Sequence, residues 1–317
     1  MTGPPFPVIP VSAIERDESR PRWLIDGLWG ASAVGLVGGQ PKVGKTFLAI
    51  DMAVSVASGT KCLGTYRVAQ PGRAILYHAE DSLGAIRDRT EALVRHRRLS
   101  LRDLDLQVIT VPSLRLDFPE HRERLLRTLE PLGPRLLVLD PLVRLHSRDE
   151  NDSSQIAELL SFLRELQRRL DLAVVLVHHL RKSGAPQEQS GLGLRGSGDF
   201  WAWLDSGLYL RRSGNNLILS MEHRAVAAPD PVCLRMTRDG ESFAHLEVVS
   251  GSTEEPGEST SLRDAILETL QGCELTREAL RAKLSVKNSR LGEALASLME
   301  EGRIERGLRG WRLATTD

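Results

Sequence analysis

The sequence predicts an α/β protein with a mainly parallel central sheet, antiparallel strands at one side of it, and a small C-terminal domain. Short apolar runs alternate with segments of helical periodicity between residues 33 and 177, which is typical of a sheet buried on both faces. After residue 200 the apolar segments follow one another without long helices, as hairpin strands do. Residues 249–260, rich in Ser, Gly, Pro and Glu, then separate this part from the last helices.

The elements of the alternating part follow in order. Five prolines keep residues 1–30 extended, and residues 23–29, W-L-I-D-G-L-W, form a hydrophobic strap expected to lie on the core. Core strands are predicted at 33–37, 73–78, 106–110, 135–139 and 172–177, with helices at 46–57, 83–98, 120–130 and 154–170. Antiparallel strands are predicted at 204–211, 217–222 and 243–249. We expect one domain over residues 31–249.

The C-terminal region, residues 261–317, follows a linker at 250–260. Its periodicity predicts helices at 262–271, 276–284 and 289–301, then two short strands around a glycine-containing turn. Three helices and a β-hairpin are typical of a winged helix. The shape leaves open whether such a domain contacts DNA or a replication or recruitment protein.

Composition limits the class of protein but does not identify a partner. The 317 residues are 41% hydrophobic and 26% charged, as in an ordinary soluble globular chain. The 42 basic and 42 acidic residues cancel, so nucleic-acid binding would depend on local patches. Cys62, Cys233 and Cys273 lack paired ligand spacing, and no apolar run reaches the roughly 18 residues of a membrane span. We expect a cytoplasmic protein without disulfides, a cysteine zinc site or a membrane partner.

Residues 39–46, G-Q-P-K-V-G-K-T, fit the phosphate-loop pattern G-x-x-x-x-G-K-[ST] between a predicted strand and a predicted helix. Gly39 and Gly44 allow the backbone to curl around phosphate oxygens, Lys45 adds a cation, and the Thr46 hydroxyl suits octahedral Mg²⁺. The pattern therefore predicts binding of a nucleoside triphosphate with Mg²⁺. The predicted nucleotide-binding residues are Gly39, Gln40, Pro41, Lys42, Val43, Gly44, Lys45, Thr46 and Phe47.

Polar residues follow the other core strands at positions that suit hydrolysis. Asp140 ends the apolar run 136–139 and is predicted to steer Mg²⁺ together with Thr46. Glu80 is predicted to be the general base, with Asp81 as its competitor, although Asp81 or Ser82 would also cap the next helix. His178 and His179 end another strand, and His179 is the one expected to face the γ-phosphate.

Several segments together carry a resemblance to a known family. They are residues 23–28 (W-L-I-D-G-L), 39–46, 77–81 (Y-H-A-E-D), 139–142 (L-D-P-L), 178–182 (H-H-L-R-K) and 194–198 (L-R-G-S-G). Residues 20–250 resemble the RecA-like ATPases, and most closely the RepA-type hexameric replicative helicases of plasmids and phages. The resemblance implies a RecA-like three-layer core, ATP as the nucleotide, and a homo-oligomeric, six-membered ring with active sites completed between neighbours.

The resemblance also implies two further sets of residues. Arg224 is the candidate for an arginine that acts on a neighbour's phosphates, with Arg211 or Arg212 as alternatives, although Glu222 stands where the family often has lysine. Two loops, residues 144–154 and 182–197, correspond to the family's loops for single-stranded DNA. Their candidate phosphate contacts are Arg144, Arg148, Arg181, Lys182 and Arg195. A second basic run, Arg87, Arg89, Arg95, Arg97, Arg98 and Arg102, is interpreted as a solvated helix face.

Three functions are compatible with these features. An ATP-driven ring helicase acting on single-stranded DNA agrees best with the resemblance. An ATP-dependent oligomeric switch, recruiting DNA or protein through the winged helix without unwinding, agrees with the neutral charge and the acidic first loop. A small-molecule kinase is disfavoured because no acceptor-binding lid segment is evident.

Overall fold

The computed structural model describes residues 7–14, 22–147, 153–179, 202–239, 243–249, 258–284, 288–307 and 309–314. Contacts divide the chain into two compact units, Met1–Gly251 and Ser252–Asp317. The first unit contains the phosphate loop, and the second contains the C-terminal helices. Each unit has its own hydrophobic core.

The first unit is built on a nine-stranded sheet. Its strands, in chain order, are β3 (Val34–Gly39), β4 (Ala74–His78), β5 (Leu106–Val108), β6 (Leu136–Asp140), β7 (Ala173–His179), β8 (Ser206–Ser213), β9 (Asn216–His223), β10 (Val232–Asp239) and β11 (Phe243–Val248). Across the sheet they lie in the order β11-β10-β9-β8-β3-β7-β6-β4-β5. The six strands from β8 to β5 are parallel, and β9, β10 and β11 continue as an antiparallel meander. The predicted α/β fold with antiparallel strands at one side is confirmed.

Helices cover both faces of the sheet. They are α1 (Lys45–Ser58), α2 (Leu83–His96), α3 (Pro119–Leu129) and α4 (Ser153–Leu170). One core combines α1 and α2 with one face of the sheet, and a second core combines α3 and α4 with the other face. The three-layer arrangement follows from strands that are buried along their whole length, because each needs an apolar cover on both sides.

The predicted hydrophobic strap is a small antiparallel pair, β1 (Trp23–Ile25) and β2 (Trp29–Gly30). Leu24, Leu28 and Trp29 are at most 1% exposed, so the strap belongs to the core.

Two features of the sheet differ from the sequence predictions. β8 forms the expected antiparallel hairpin with β9, but it also pairs parallel with β3. β8 therefore extends the parallel part of the sheet by one strand before the meander begins. β10 is absent from the sequence predictions, although Leu234, Arg235, Met236 and Thr237 alternate between apolar and polar as a half-buried strand does.

The second unit contains α5 (Glu258–Thr269), α6 (Arg277–Leu284), α7 (Asn288–Glu300) and a hairpin of β12 (Ile304–Arg306) with β13 (Trp311–Leu313). Its core is formed mainly by leucines such as Leu270, Leu280 and Leu298. These elements lie in the order that the winged-helix prediction requires, and their binding partner stays a prediction.

Candidate nucleotide-binding site

The phosphate loop joins the buried strand β3 to helix α1 through two glycines with positive φ. Gly39 has φ +153° and Gly44 has φ +93°, which L residues with a side chain rarely adopt. A Cβ on Gly39 would lie 2.4 Å from the backbone oxygen of Leu210. Glycine at position 39 therefore lets β8 approach the loop, and Gly44 places the N-terminus of α1 at the loop.

Lys45 is the first residue of α1, and its side chain folds back over the loop. Its Nζ donates hydrogen bonds to the Gly39 oxygen at 3.0 Å and to the Gln40 oxygen at 2.8 Å. Burial lowers the pKa of Lys45 to about 8, although Asp140 acts in the opposite direction. The site thus holds a desolvated ammonium group that is hydrogen-bonded to two backbone carbonyls of the loop.

Thr46 and Asp140 are brought together from α1 and the end of β6. The Thr46 hydroxyl donates to Asp140 Oδ2 at 2.7 Å. His78 Nδ1 lies 3.3 Å from the same carboxylate oxygen, because β4 and β6 pair in a register that sets His78 opposite Asp140. A hydroxyl and a carboxylate oxygen are hard ligands of the kind that Mg²⁺ prefers, so these residues fit the predicted metal.

Glu80 and Asp81 follow β4, and each carboxylate has an arginine partner. Arg144 Nε donates to Glu80 Oε1 at 2.8 Å, and both side chains are about half exposed. Asp81 pairs with Arg89 of α2. Ser82, rather than Asp81, is the N-cap of α2, since its side chain accepts a hydrogen bond from the Ala85 N–H. The Glu80 carboxylate is therefore not used as a helix cap.

His179 ends β7 beside the phosphate loop. Its register partner is Gly39, and it lines the same cavity as Val177, two residues earlier on the same face of the strand. His178 lies between them, so its side chain points to the other face. The predicted choice of His179 over His178 agrees with this parity, and its role toward the γ-phosphate stays a prediction.

Most of these side chains line one cavity of about 320 Å³ at the carboxyl ends of the parallel strands. Its lining residues are Lys42, Val43, Gly44, Lys45, Thr46, Phe47, His78, Glu80, Asp81, Arg89, Asp140, Val177, His179 and Met236. Open α/β sheets bind ligands at this edge.

Comparison with known sequences gives the family. The profile of AAA_25, described as an AAA domain, matches residues 4–185, which is more than half of the chain.

The chain belongs to the AAA_25 family.

Curated relatives of this AAA_25 protein include two proteins named DNA repair protein RadA. The one from Aquifex aeolicus (strain VF5) is 26% identical over 194 residues, covering 57% of this chain and 38% of the relative. The one from Synechocystis sp. (strain ATCC 27184 / PCC 6803 / Kazusa) is 25% identical over 294 residues, covering 87% of this chain and 54% of the relative. The AAA_25 chain therefore spans about half or less of the length of these relatives.

A solved structure supports the fold. A DnaB-like replicative helicase, described with its interactions with primase, matches with a TM-score of 0.50 at 17% identity, covering 68% of this chain and 57% of that one. Family and fold together confirm the prediction of a RecA-like P-loop ATPase domain. Within the described residues, no helix has the length and apolar character needed to cross a membrane.

Arg224 of the AAA_25 chain lies far from its own phosphate loop. It follows β9, whose last residue His223 pairs with Ser206 at the start of β8, whereas Gly39 pairs with Leu210. At roughly 3.3 Å per residue, this places Arg224 about 15 Å from Gly39 along the strand direction, at the amino-terminal ends of the parallel strands. There its guanidinium contacts the Ala202 carbonyl and lies 3.5 Å from Asp205 Oδ1.

The alternative arginines and the DNA-loop residues fall into three groups. Arg211 and Arg212 follow Leu210 on β8, at the phosphate-loop edge of the sheet. Arg144 lies in a short 3-10 helix after β6 and forms the ion pair with Glu80. The remaining candidates, Arg148, Arg181, Lys182 and Arg195, lie outside the described residues.

Besides Val177 of β7, the structure adds three residues to the cavity that the sequence predictions did not assign to it. His78 precedes the Glu80 motif, Arg89 lies on α2, and Met236 lies on the unpredicted strand β10. Arg89 also stacks over Phe47, with Cζ 5.1 Å from the ring centre. Only His78 could have been found from the sequence, because it ends a core strand as Asp140 does.

The interpretation of the second basic run as a solvated face is wrong for two of its members. Arg89 faces the cavity, as described above. The Arg97 side chain is only 8% exposed, and its Nη2 lies 2.7 Å from Asp51 of α1. This buried pair joins α1 to the C-terminal end of α2.

Proposed function

We propose that the chain is an ATP-hydrolysing RecA-like ring ATPase, and that it acts as a RepA-type helicase or translocase on single-stranded DNA. The observation that carries the proposal is the meeting of Lys45, Thr46, Asp140 and Glu80 in one cavity at the carboxyl edge of the sheet. Relatives named for DNA repair and a fold neighbour named as a replicative helicase support DNA as the polymer.

The phosphate-binding step uses the groups that the loop already orients. Lys45 exchanges its two backbone carbonyl partners for phosphate oxygens, which compensate its buried charge better. Thr46 and Asp140 would hold Mg²⁺ through their hydroxyl and carboxylate oxygens. The ion would neutralise charge that develops on the phosphate oxygens.

The hydrolytic step uses Glu80 and His179. Glu80 accepts the proton of the attacking water, for which it must be freed from Arg144 or turned away from it. We expect His179, the register partner of Gly39, to respond to the presence of the γ-phosphate.

A ring explains the position of Arg224. Because Arg224 lies at the edge of the sheet opposite its own phosphate loop, it can contribute to hydrolysis only at a neighbouring subunit. Such an arginine stabilises charge on the transferring phosphoryl group.

DNA would act on the site through Arg144. Arg144 belongs to the first predicted DNA loop and also holds Glu80, so a DNA phosphate that captures Arg144 would release the base. This link predicts ATP hydrolysis that is stimulated by single-stranded DNA.

The test is an ATPase assay with and without single-stranded DNA, run beside strand displacement on a forked duplex. Wild-type protein should hydrolyse ATP faster with DNA and should displace the strand, and Lys45→Ala should do neither. Hydrolysis that DNA leaves unchanged would count against the motor.

The second candidate is an ATP-dependent oligomeric switch that recruits DNA or protein through its C-terminal unit. It is favoured by the neutral charge of the chain and by the ion pair that occupies Arg144. DNA stimulation of ATP hydrolysis without strand displacement, together with ATP-dependent assembly, would support this candidate.

A further inference from the structure

A cluster of two histidines and one glutamate lies outside the nucleotide cavity. His96 is the last residue of α2, and His245 and Glu247 lie two residues apart on the edge strand β11. Residues i and i+2 of a strand share a face, and His96 contacts both β11 side chains from the end of α2, which packs against that strand. The potential ligand atoms of the three residues all lie within 4.8 Å of one another.

The geometry within the cluster converges on one oxygen. Glu247 Oε1 lies 2.7 Å from His245 Nε2 and 3.7 Å from His96 Nε2. Ligand atoms around a tetrahedral zinc ion are about 3.3 Å apart, given zinc–ligand distances of about 2.0 Å. For zinc to bind, the His245–Glu247 pair must separate slightly and the His96–Glu247 pair must approach slightly. The nitrogens of the two imidazoles, which lie within 4.8 Å of each other, must come closer by up to about 1.5 Å.

The surroundings of the cluster hold the ligands in place. Glu247 Oε2 accepts a hydrogen bond from the Thr237 hydroxyl of β10 at 3.1 Å, which leaves Oε1 directed to the histidines. A ligating carboxylate is usually oriented by such an outer partner. The His96 and His245 rings stack with centres 3.8 Å apart, so both imidazoles are already side by side.

The charges near the cluster and its contact with solvent also allow a cation to bind there. Arg97 is the residue after His96, and its charge is compensated by the buried Asp51 carboxylate at 2.7 Å. His96 and Glu247 line a surface cavity of about 470 Å³, through which water and ions can reach them. His245 is only 3% exposed, so its imidazole is shielded from solvent.

We propose that His96, His245 and Glu247 bind a divalent transition-metal ion, with zinc as the best match, that fastens the end of α2 to β11. Two imidazoles and one carboxylate form a donor set that suits zinc and does not suit Mg²⁺ or Ca²⁺. Water fills the fourth position. Because α2 begins directly after Glu80 and carries Arg89 into the nucleotide cavity, the ion stabilises one wall of that cavity.

The test measures zinc content and thermal unfolding of the full chain. Protein stripped with EDTA is dialysed against zinc in buffer with excess Mg²⁺, which occupies the oxygen site at Thr46 and Asp140. Wild-type protein should retain about one zinc ion per chain, and zinc should raise its unfolding midpoint by several degrees. EDTA should reverse the shift.

Two substitutions and two matched controls locate the ion. His96→Ala and Glu247→Gln change partly exposed side chains, so both should fold but lose the zinc and its thermal shift. His121→Ala and Glu91→Gln remove a histidine and a glutamate on other parts of the described helices, and both should keep zinc as wild type does. Zinc retention by His96→Ala, or a wild-type protein without bound zinc, would overturn the proposal.

Discussion

At the scale of single residues, Lys45 couples nucleotide binding to pH. Its pKa in the nucleotide-free protein is lowered to about 8, so its charge is present below pH 8 and is lost above it. Phosphate oxygens favour the charged form, so the pKa of Lys45 rises when ATP binds. Above pH 8, ATP binding must therefore be accompanied by protonation of Lys45. We expect ATP affinity to fall by about twofold between pH 7 and 8 and then by up to about tenfold per pH unit as pH rises further.

Equilibrium titration with ATP at pH 7 to 9.5 measures this effect, and Lys45→Arg is its control. Arginine remains charged throughout this range, so any affinity that the variant retains should lack the decline. A wild-type affinity that is equal at pH 7.5 and pH 9.5 would show that Lys45 keeps its proton in the free protein.

The ion pair between Glu80 and Arg144 gives the second prediction. Glu80→Gln should bind ATP as wild type does but hydrolyse it at least about a hundredfold more slowly, because an amide cannot accept the proton of water. Arg144→Ala should raise hydrolysis without DNA a few-fold and reduce the stimulation by DNA, because Glu80 is then already free. The pair is half exposed and contributes little to stability, so folding should be unaffected.

Rates of ATP hydrolysis with and without single-stranded DNA measure both variants. Arg87→Ala is the control for Arg144→Ala, because it removes an exposed arginine that pairs only with Glu91 on the same helix among the described contacts. If Arg144→Ala hydrolyses ATP at the wild-type rate both with and without DNA, the ion pair does not regulate hydrolysis.

At the scale of elements, the contact between β3 and β8 depends on Gly35. A Cβ at this position would lie 1.7 Å from the Ser206 backbone oxygen and 2.9 Å from the Trp29 ring. Neither β8 nor the buried tryptophan can move without opening the parallel sheet. Gly35→Ala should therefore lower the free energy of unfolding by 3 kcal/mol or more, on the order of the largest core defects.

Gly84 provides the opposite case on α2. A Cβ there meets only the Ser82 hydroxyl, at 3.8 Å, and the residue is exposed in the first turn of the helix. Gly84→Ala should stabilise the protein by a few tenths to about 1 kcal/mol, since alanine is the better helix former. Urea denaturation of both variants compares the two sites, and equal effects would contradict the steric argument.

The elements also show which parts of the fold were predictable. Strands such as Leu136–Asp140 are buried along their whole length, so a continuous apolar run was enough to find them. The parallel pairing of β8 with β3 depends on which strands meet in space, which no local pattern records. Arg97 was misread for a similar reason, because its buried partner Asp51 lies on a different helix.

The candidate site was predictable where a motif prescribes it. Gly39, Lys45 and Thr46 follow from one loop pattern, and Asp140 follows from its place at a strand end. Met236 and Arg89 reach the same cavity from β10 and α2, whose sequences resemble ordinary surface segments. Side chains that complete a site from distant elements carry no signal of their own in the sequence.

At the scale of the whole molecule, the positions of Lys45 and Arg224 predict how subunits cooperate. The two residues lie at opposite edges of one sheet, so a ring whose neighbours repeat head to tail can bring Arg224 of one subunit to Lys45 of the next. Lys45→Ala and Arg224→Ala should each abolish most ATP hydrolysis as pure proteins. In a mixture, some interfaces receive an intact Lys45 from one subunit and an intact Arg224 from its neighbour.

Equal mixing should leave about one quarter of the interfaces intact, because each of the two required subunits occurs with a probability of about one half. ATP hydrolysis should recover to roughly that fraction of the wild-type rate, after co-assembly has been verified by the size of the mixed particle. Mixtures of Lys45→Ala with Arg211→Ala or Arg212→Ala test the alternative arginines in the same way. Recovery with one of these and none with Arg224→Ala would assign the shared arginine to β8, whereas no recovery with any of them would confine the catalytic groups to a single subunit.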